Sequence, residues 1–226
     1  MRLVKNRIYI KIIGDSIAAG EGTSDFKELD STLIRVDNIN FKNVQTKKSW
    51  GALLNEYLNK ENKNIVLNNN GCCGMNSTQL KENINKLVSE KDDVVFILIG
   101  LNDRKRENGL NELYSNLKYI INHLRDKKII LMTPTISTKE NENKPSRIHH
   151  TIDIINIIRK ISKEENIKLI DNYKKIENYL KENNLLIDKI MIKENCLNDG
   201  LHPTDLVHKL IFENILESKI IYIKTI

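Results

Sequence analysis

The 226-residue chain is poor in cysteine, with two adjacent residues at Cys72 and Cys73 and a third far away at Cys196. That set makes no disulfide framework and offers no metal-ligand spacing. Reduced thiols and a cytoplasmic location are therefore expected. Long apolar runs are also missing: no stretch approaches the ~20 residues needed to cross a bilayer. The opening Met1-Arg2-Leu3-Val4-Lys5-Asn6-Arg7 leads into a run interrupted by Lys11, without the small-residue cleavage site of a secretory leader. The formal charge of +6 is modest. Its lysines are scattered, and no basic stripe with interleaved aromatics points to a nucleic-acid partner. Linkers, repeats and low-complexity segments are absent too, so residues 1–226 are expected to form one domain.

What the chain does have is an alternation of strand-like runs and helix-period segments. Strands are expected over residues 8–14, 64–68, 93–100, 128–133 and 168–171. The run at 93–100 is continuously apolar and reads as a central strand covered on both faces. Helical spacing marks 49–58 behind a Ser N-cap, then 77–88, 110–124, 147–165, 173–186 and 204–218. Residues 21–48 read as a polar loop and 136–146 as a polar, irregular and mobile one. Residues 187–196 are ambiguous, and the tail 220–223 fits a strand or a helix extension. Strands separated by helices imply right-handed crossovers and a five-stranded parallel sheet between two helical layers.

Chemistry gathers where strands end. Ser16 follows the first strand in Gly14-Asp15-Ser16, placing a hydroxyl at the carboxyl edge where ligands bind in open α/β sheets. Asn68-Asn69-Asn70-Gly71-Cys72-Cys73-Gly74 follows the second, and its glycines let backbone N–H groups approach a ligand. Gly100-Leu101-Asn102-Asp103 follows the strongest strand and offers an amide donor to a developing oxyanion. Asn198-Asp199-Gly200-Leu201-His202-Pro203 precedes the last helix, with an acid and an imidazole three residues apart. Each block alone also fits a turn, a cap or a surface histidine. Cys72 and Cys73 read as small buried or half-buried fillers, and Trp50 as core. His149 and His150 read as surface residues with no carboxylate in ligand spacing, and His123 and His208 as surface or packing residues.

Taken in order, the four blocks resemble those of the SGNH hydrolases, also called GDSL-type esterases and lipases. The resemblance rests on Gly14-Asp15-Ser16, on Gly74 (Gly71 being the less favoured register), on Gly100-Leu101-Asn102-Asp103 and on Asp199-Gly200-Leu201-His202. It spans the chain from the first strand to the last helix. Ile17 stands where the family name carries Leu, a conservative change. The resemblance implies a flavodoxin-like three-layer α/β/α fold, a small-molecule ester as substrate and no metal or organic cofactor. It also implies a Ser16–His202–Asp199 triad and an oxyanion hole made by Ser16, Gly74 and Asn102. Asp15 is expected to fix the nucleophile loop by hydrogen bonds. Small acyl esters, including O-acetyl groups of carbohydrates, are the expected substrates. A lysophospholipase- or thioesterase-type lipolytic hydrolase and a glycan O-acyltransferase on the same fold are the alternatives.

Overall fold

The computed structural model describes residues 7–220. In chain order its elements are β1 (Ile8–Gly14), α1 (Ser16–Ala19), β2 (Lys27–Val36), β3 (Ile39–Gln45), α2 (Trp50–Glu61), β4 (Ile65–Gly71), α3 (Ser77–Glu82), α4 (Ile84–Leu87), β5 (Val94–Leu98), α5 (Gly109–His123), β6 (Lys128–Met132), α6 (Lys139–Glu142), α7 (Thr151–Glu164), β7 (Lys168–Ile170), α8 (Asn172–Glu182), α9 (Asp188–Met191) and α10 (Asp205–Glu217). Five strands pair in the order β4-β1-β5-β6-β7, all in parallel, and helices cover both faces in a three-layer α/β/α arrangement. Among these five strands the order is 2-1-3-4-5, so winding switches sides beside β1, and crevices open at such a switch point. Register levels the three strand ends there: Gly14 pairs with Gly71 of β4 on one side and with Leu98 of β5 on the other.

The strand β5 shows why its run carries no polar alternation. Val95 and Ile97 pack with Leu113, Leu117 and Ile120 of α5 and with Ile154 and Ile158 of α7. Phe96 and Leu98 face the other layer, against Trp50, Leu54 and Leu58 of α2 and Ile211 and Ile215 of α10. Every residue of the strand is buried, so water never selects a polar side chain.

Several expectations need correction. Residues 21–48 are not a plain loop: β2 and β3 form an antiparallel hairpin within them. Ile34, Val36 and Phe41 bury one face of the hairpin on the core, while its outer residues are exposed. The helix expected over 77–88 breaks at Asn83, whose side-chain amide bonds the Gln79 carbonyl and whose φ of −115° leaves the helical region. Helix α7 begins at Thr151, not 147, because Asp153 accepts the His150 amide N–H and caps it there. The ambiguous stretch 187–196 contains the short α9. Residues 136–146 contain α6 and bury Ser137, Thr138 and Asn141. Residues 221–223 of the tail lie outside the described residues. Among the described residues, no helix is long and apolar enough to cross a membrane.

Candidate active site

Ser16 is the first residue of α1, and two neighbours hold it in place. The carboxylate of Asp15 accepts the Ile17 amide N–H at 3.0 Å, capping the turn, and the Asp15 amide donates to the Leu98 carbonyl at 3.1 Å. The indole N–H of Trp50, fully buried, donates to the Ile17 carbonyl at 2.9 Å. Trp50 is thus the core residue expected, packed behind the serine. The expected loop-fixing role of Asp15 is seen in these bonds.

His202 and Asp199 arrive from the loop before α10. The Asp199 carboxylate first closes its own turn, accepting the amides of Leu201 and His202 at 2.9 Å each through Oδ1. Its Oδ2 lies 2.7 Å from His202 Nδ1, and His202 Nε2 lies 2.9 Å from Ser16 Oγ. A carboxylate only accepts, so Nδ1 carries the proton and the Nε2 lone pair receives the Ser16 hydroxyl. Burial alone lowers the His202 pKa, but the Asp199 hydrogen bond and the charges of Glu21, Asp199 and Asp15 outweigh it and leave it raised. Burial opposes ionisation of Asp199 as well; its hydrogen bond from His202, the His202 charge and two backbone N–H donors hold it well below the ordinary carboxylate range. Asp15 behaves oppositely. Burial pushes its pKa up to about 7, against the Ile17 N–H and the His202 charge, and its second oxygen is buried without a protein partner.

Gly74 and Asn102 follow the two strands, β4 and β5, whose ends are level with Gly14 on either side of β1. Asn102 Nδ2 donates to the Met75 carbonyl at 3.0 Å while its Oδ1 accepts from Lys105 Nζ at 2.9 Å, leaving one Nδ2 hydrogen unused. Gly74 has φ +86°, a left-handed conformation that favours glycine, and a Cβ there would meet nothing within 4 Å. Its amide makes no hydrogen bond among the described residues, whereas the Gly71 amide is taken by Asn69 Oδ1 at 2.8 Å. Asp103 is not a simple cap: its buried carboxylate accepts the Ser77 amide at 3.0 Å and the Ser77 hydroxyl at 2.5 Å, tying the Asn102 loop to α3.

Three groups that shape the site carry no strong sequence signal. Arg104, fully buried, donates to Glu142 Oε1, Thr151 Oγ1 and Asn141 Oδ1, each at 2.6 Å. Glu142 also accepts from Ser137 Oγ, from Thr151 Oγ1 at 2.5 Å and from the Thr151 amide at 2.9 Å; although burial opposes ionisation, these donors and Arg104 hold its pKa near about 2. Asn141 Nδ2 reaches the Asp199 carbonyl at 2.9 Å, and the Thr138 amide reaches the Gly200 carbonyl at 2.8 Å. The third is Glu21, whose Oε2 lies 3.6 Å from His202 Nε2.

The remaining candidates fall outside the site. Cys72 is buried and Cys73 half-buried; burial pushes the Cys72 thiol up to about 12 and, with the nearby Glu21, raises Cys73 further, so neither is an activated thiolate. His150 is exposed, as expected, and its Nδ1 lies 3.3 Å from Glu142 Oε2. His149 bonds the carbonyls of Arg106 and Glu107, and His123 bonds Asn85 at the surface. His208 is fully buried in α10. Among the described residues, no three His, Cys, Asp or Glu side chains gather where they could hold a metal ion.

Solved structures share this architecture. The lipase/acylhydrolase from Enterococcus faecalis superposes with a TM-score of 0.70 at 22% identity, covering 93% of this chain and 94% of that one. Axe2, an acetylxylan esterase from Geobacillus stearothermophilus, gives a TM-score of 0.68 at 22% identity, covering 97% and 98%. Versions of Axe2 described as catalytic mutants carry alanine for a serine or for a histidine. LAE5, an alpha/beta hydrolase enzyme from the Lake Arreo metagenome, gives 0.67 at 21% identity over 93% and 94%. At these identities the likeness establishes the fold. No curated protein sequence matches the chain. The family model of the GDSL-like lipase/acylhydrolases, however, matches residues 12–210, from within β1 into α10. With the four blocks inside that match, the chain belongs to the GDSL-like lipase/acylhydrolase family and is a carboxylic ester hydrolase.

Proposed function

We propose that the protein hydrolyses small acyl esters, O-acetyl groups of carbohydrates among them, through Ser16 as nucleophile, His202 as base and Asp199 as orienting acid. The observation that carries this reading is the unbroken line Ser16 Oγ, His202 Nε2 at 2.9 Å, and His202 Nδ1 with Asp199 Oδ2 at 2.7 Å. Nucleophile, base and orienting group already lie within hydrogen-bond reach, as acyl transfer requires. The Ser16 oxygen attacks the ester carbonyl while its proton passes to Nε2. The carbon–oxygen bond to the alcohol then breaks, and the same proton leaves with the alcohol. Water gives a proton to Nε2, attacks the acyl-serine and releases the acid, and Ser16 recovers its proton. The oxyanion of each tetrahedral intermediate is met by the backbone N–H groups of Ser16 and Gly74 and by the unused Nδ2 hydrogen of Asn102.

The preference for small acyl groups is supported by the polar character of the flanking segments. Asn102 and the exposed Lys105, joined at 2.9 Å, are polar groups beside the site. The acetylxylan esterase among the similar folds accords with an acetyl substrate. Intact mass after treatment with a fluorophosphonate tests the nucleophile: an adduct on the wild type and none on Ser16→Ala is expected, and equal ester hydrolysis by the two proteins refutes it. A chain-length series of p-nitrophenyl esters tests the acyl group. Rates peaking at long chains favour a lipolytic or thioester hydrolase instead. Acyl transfer to sugar exceeding hydrolysis favours a glycan O-acyltransferase.

A further inference from the structure

Glu21 occupies an unusual place. It lies between Gly20 and Gly22, whose φ values of +98° and +103° are left-handed. A Cβ on Gly22 would stand 2.4 Å from the Pro203 carbonyl oxygen and 2.8 Å from His202 Cβ, so only glycine lets this backbone lie against the His202 loop. The Glu21 amide donates to the Ser16 carbonyl at 2.9 Å, and its own carbonyl accepts from His208 Nε2 at 3.2 Å. Backbone bonds on both sides thus fix the residue, and its carboxylate reaches 3.6 Å from His202 Nε2, the nitrogen that faces Ser16. Asp199 already holds the other ring nitrogen at 2.7 Å.

A carboxylate beside Nε2 has no proton to receive while the imidazole is neutral, because that nitrogen then presents a lone pair. It becomes a partner only when Nε2 is protonated. In acyl transfer this happens twice, once when Ser16 yields its proton and once when water does. The departing alcohol oxygen must also come within hydrogen-bond reach of Nε2 to take the proton. Any charge carried close to that oxygen then lies a few ångströms from Glu21, where like charges repel. We propose that Glu21 is a second carboxylate at the reacting edge of His202, which holds the imidazolium formed in each half-reaction and turns away esters whose alcohol portion carries a negative charge near the ester oxygen.

The inference rests on the reading of Ser16 and His202 given above. The charged groups facing His202 are Asp199 from its own loop, Asp15 from the turn after β1 and Glu21 from the loop after α1, with His208 of α10 behind. Of these, the Glu21 carboxylate is the one beside Nε2; it neither caps the start of α1, as Asp15 does, nor holds Nδ1, as Asp199 does.

The test compares wild type, Glu21→Gln and Glu21→Ala on three acetyl esters of similar size. These are acetylcholine, its neutral isostere 3,3-dimethylbutyl acetate, and anionic 3-acetoxypropanoate, with acetate release measured across pH. In the wild type the anionic ester is expected to react slowest. Glu21→Gln narrows the gap between anionic and neutral esters by about tenfold, the scale of one charge–charge contact in a half-wet site. It also lowers kcat on the neutral ester. The acid limb of kcat/KM moves to lower pH, because loss of the negative charge makes His202 harder to protonate. Glu21→Ala is expected to move charge preference and acid limb the same way. Unchanged preference and an unchanged limb in variants that still react with a fluorophosphonate at Ser16 overturn the proposal for Glu21 alone. A wild type that does not react with that probe overturns the Ser16 reading and this inference with it.

Discussion

Replacing Asn141 of α6 separates a positioning role from a merely structural one. The side chain is fully buried, accepts from Arg104 Nη2 at 2.6 Å and donates to the Asp199 carbonyl at 2.9 Å. Asn141→Ala removes both bonds. The bond to the charged guanidinium is worth about 1.5–3 kcal/mol and the neutral one about 1 kcal/mol, so the loss is about 2.5–4 kcal/mol. A domain of this size melts about 2–4 °C lower per kcal/mol, which places the fall at about 5–16 °C. Asn141→Asp keeps an acceptor for Arg104 but turns a second oxygen toward the Asp199 carbonyl, so stability falls less while the triad loop still loses its tether. The ceiling on the rate effect is about 10⁴, the cost of disabling the orienting acid in a serine triad. Asp199 keeps its bonds to the Leu201 and His202 amides, and Thr138 keeps its bond to Gly200. The expected fall in kcat is therefore only about tenfold, in both variants, with KM within a factor of two. Steady-state kinetics on a small acetyl ester, beside thermal melts, reads both quantities. Melting that drops in Asn141→Ala with kcat intact in both variants refutes the positioning argument.

Two further outcomes follow from the same geometry. Asn102→Ala removes an oxyanion donor and should lower kcat by about 10²–10³; a similar melting temperature shows that the fold survives, and a rate within threefold of wild type rules out the donor role. His208 is pinned as the Nε2–H tautomer, since the Glu21 carbonyl at 3.2 Å can only accept and the Trp50 amide at 3.4 Å can only donate. Burial depresses its pKa from the ordinary imidazole value to about 4. The unfolded chain therefore binds the extra proton first, and the stability this group contributes is full above about pH 6.5 and lost as pH falls toward about 4, by up to about 3 kcal/mol. Asp15 and Asp103, raised to about 7 and about 6, respond with the opposite sign over overlapping pH ranges. The readout is accordingly the difference between wild type and His208→Gln in urea unfolding at successive pH values; parallel profiles contradict it.

How far the sequence reveals this molecule depends on whether a residue's neighbours are near in the chain. The strand β5 is legible because burial on both faces leaves an unbroken apolar run, and Ser16, Gly74 and Asn102 are legible because each follows a strand end that fixes its place in space. Asp199 and His202 lie three residues apart, so their pairing is local as well. The hairpin of β2 and β3 hides behind its many exposed polar residues, although Ile34 and Val36 alternate with polar neighbours just before Asp37-Asn38, a signal of a strand entering a turn. Arg104 and Glu142 have no such signal. They are 38 positions apart, and nothing periodic connects them. Glu21 resembles any acidic loop residue until Gly22 brings it against His202. Residues 136–146 are polar in composition, which reads as exposure to water. In the folded chain Ser137, Thr138 and Asn141 instead turn inward, and protein groups take the place of water: the Glu142 carboxylate for Ser137, the Asn141 amide for Thr138, and the Arg104 guanidinium and the Asp199 carbonyl for Asn141. A polar segment beside an active site can therefore be interior structure, and only the identity of its long-range partners distinguishes the two cases.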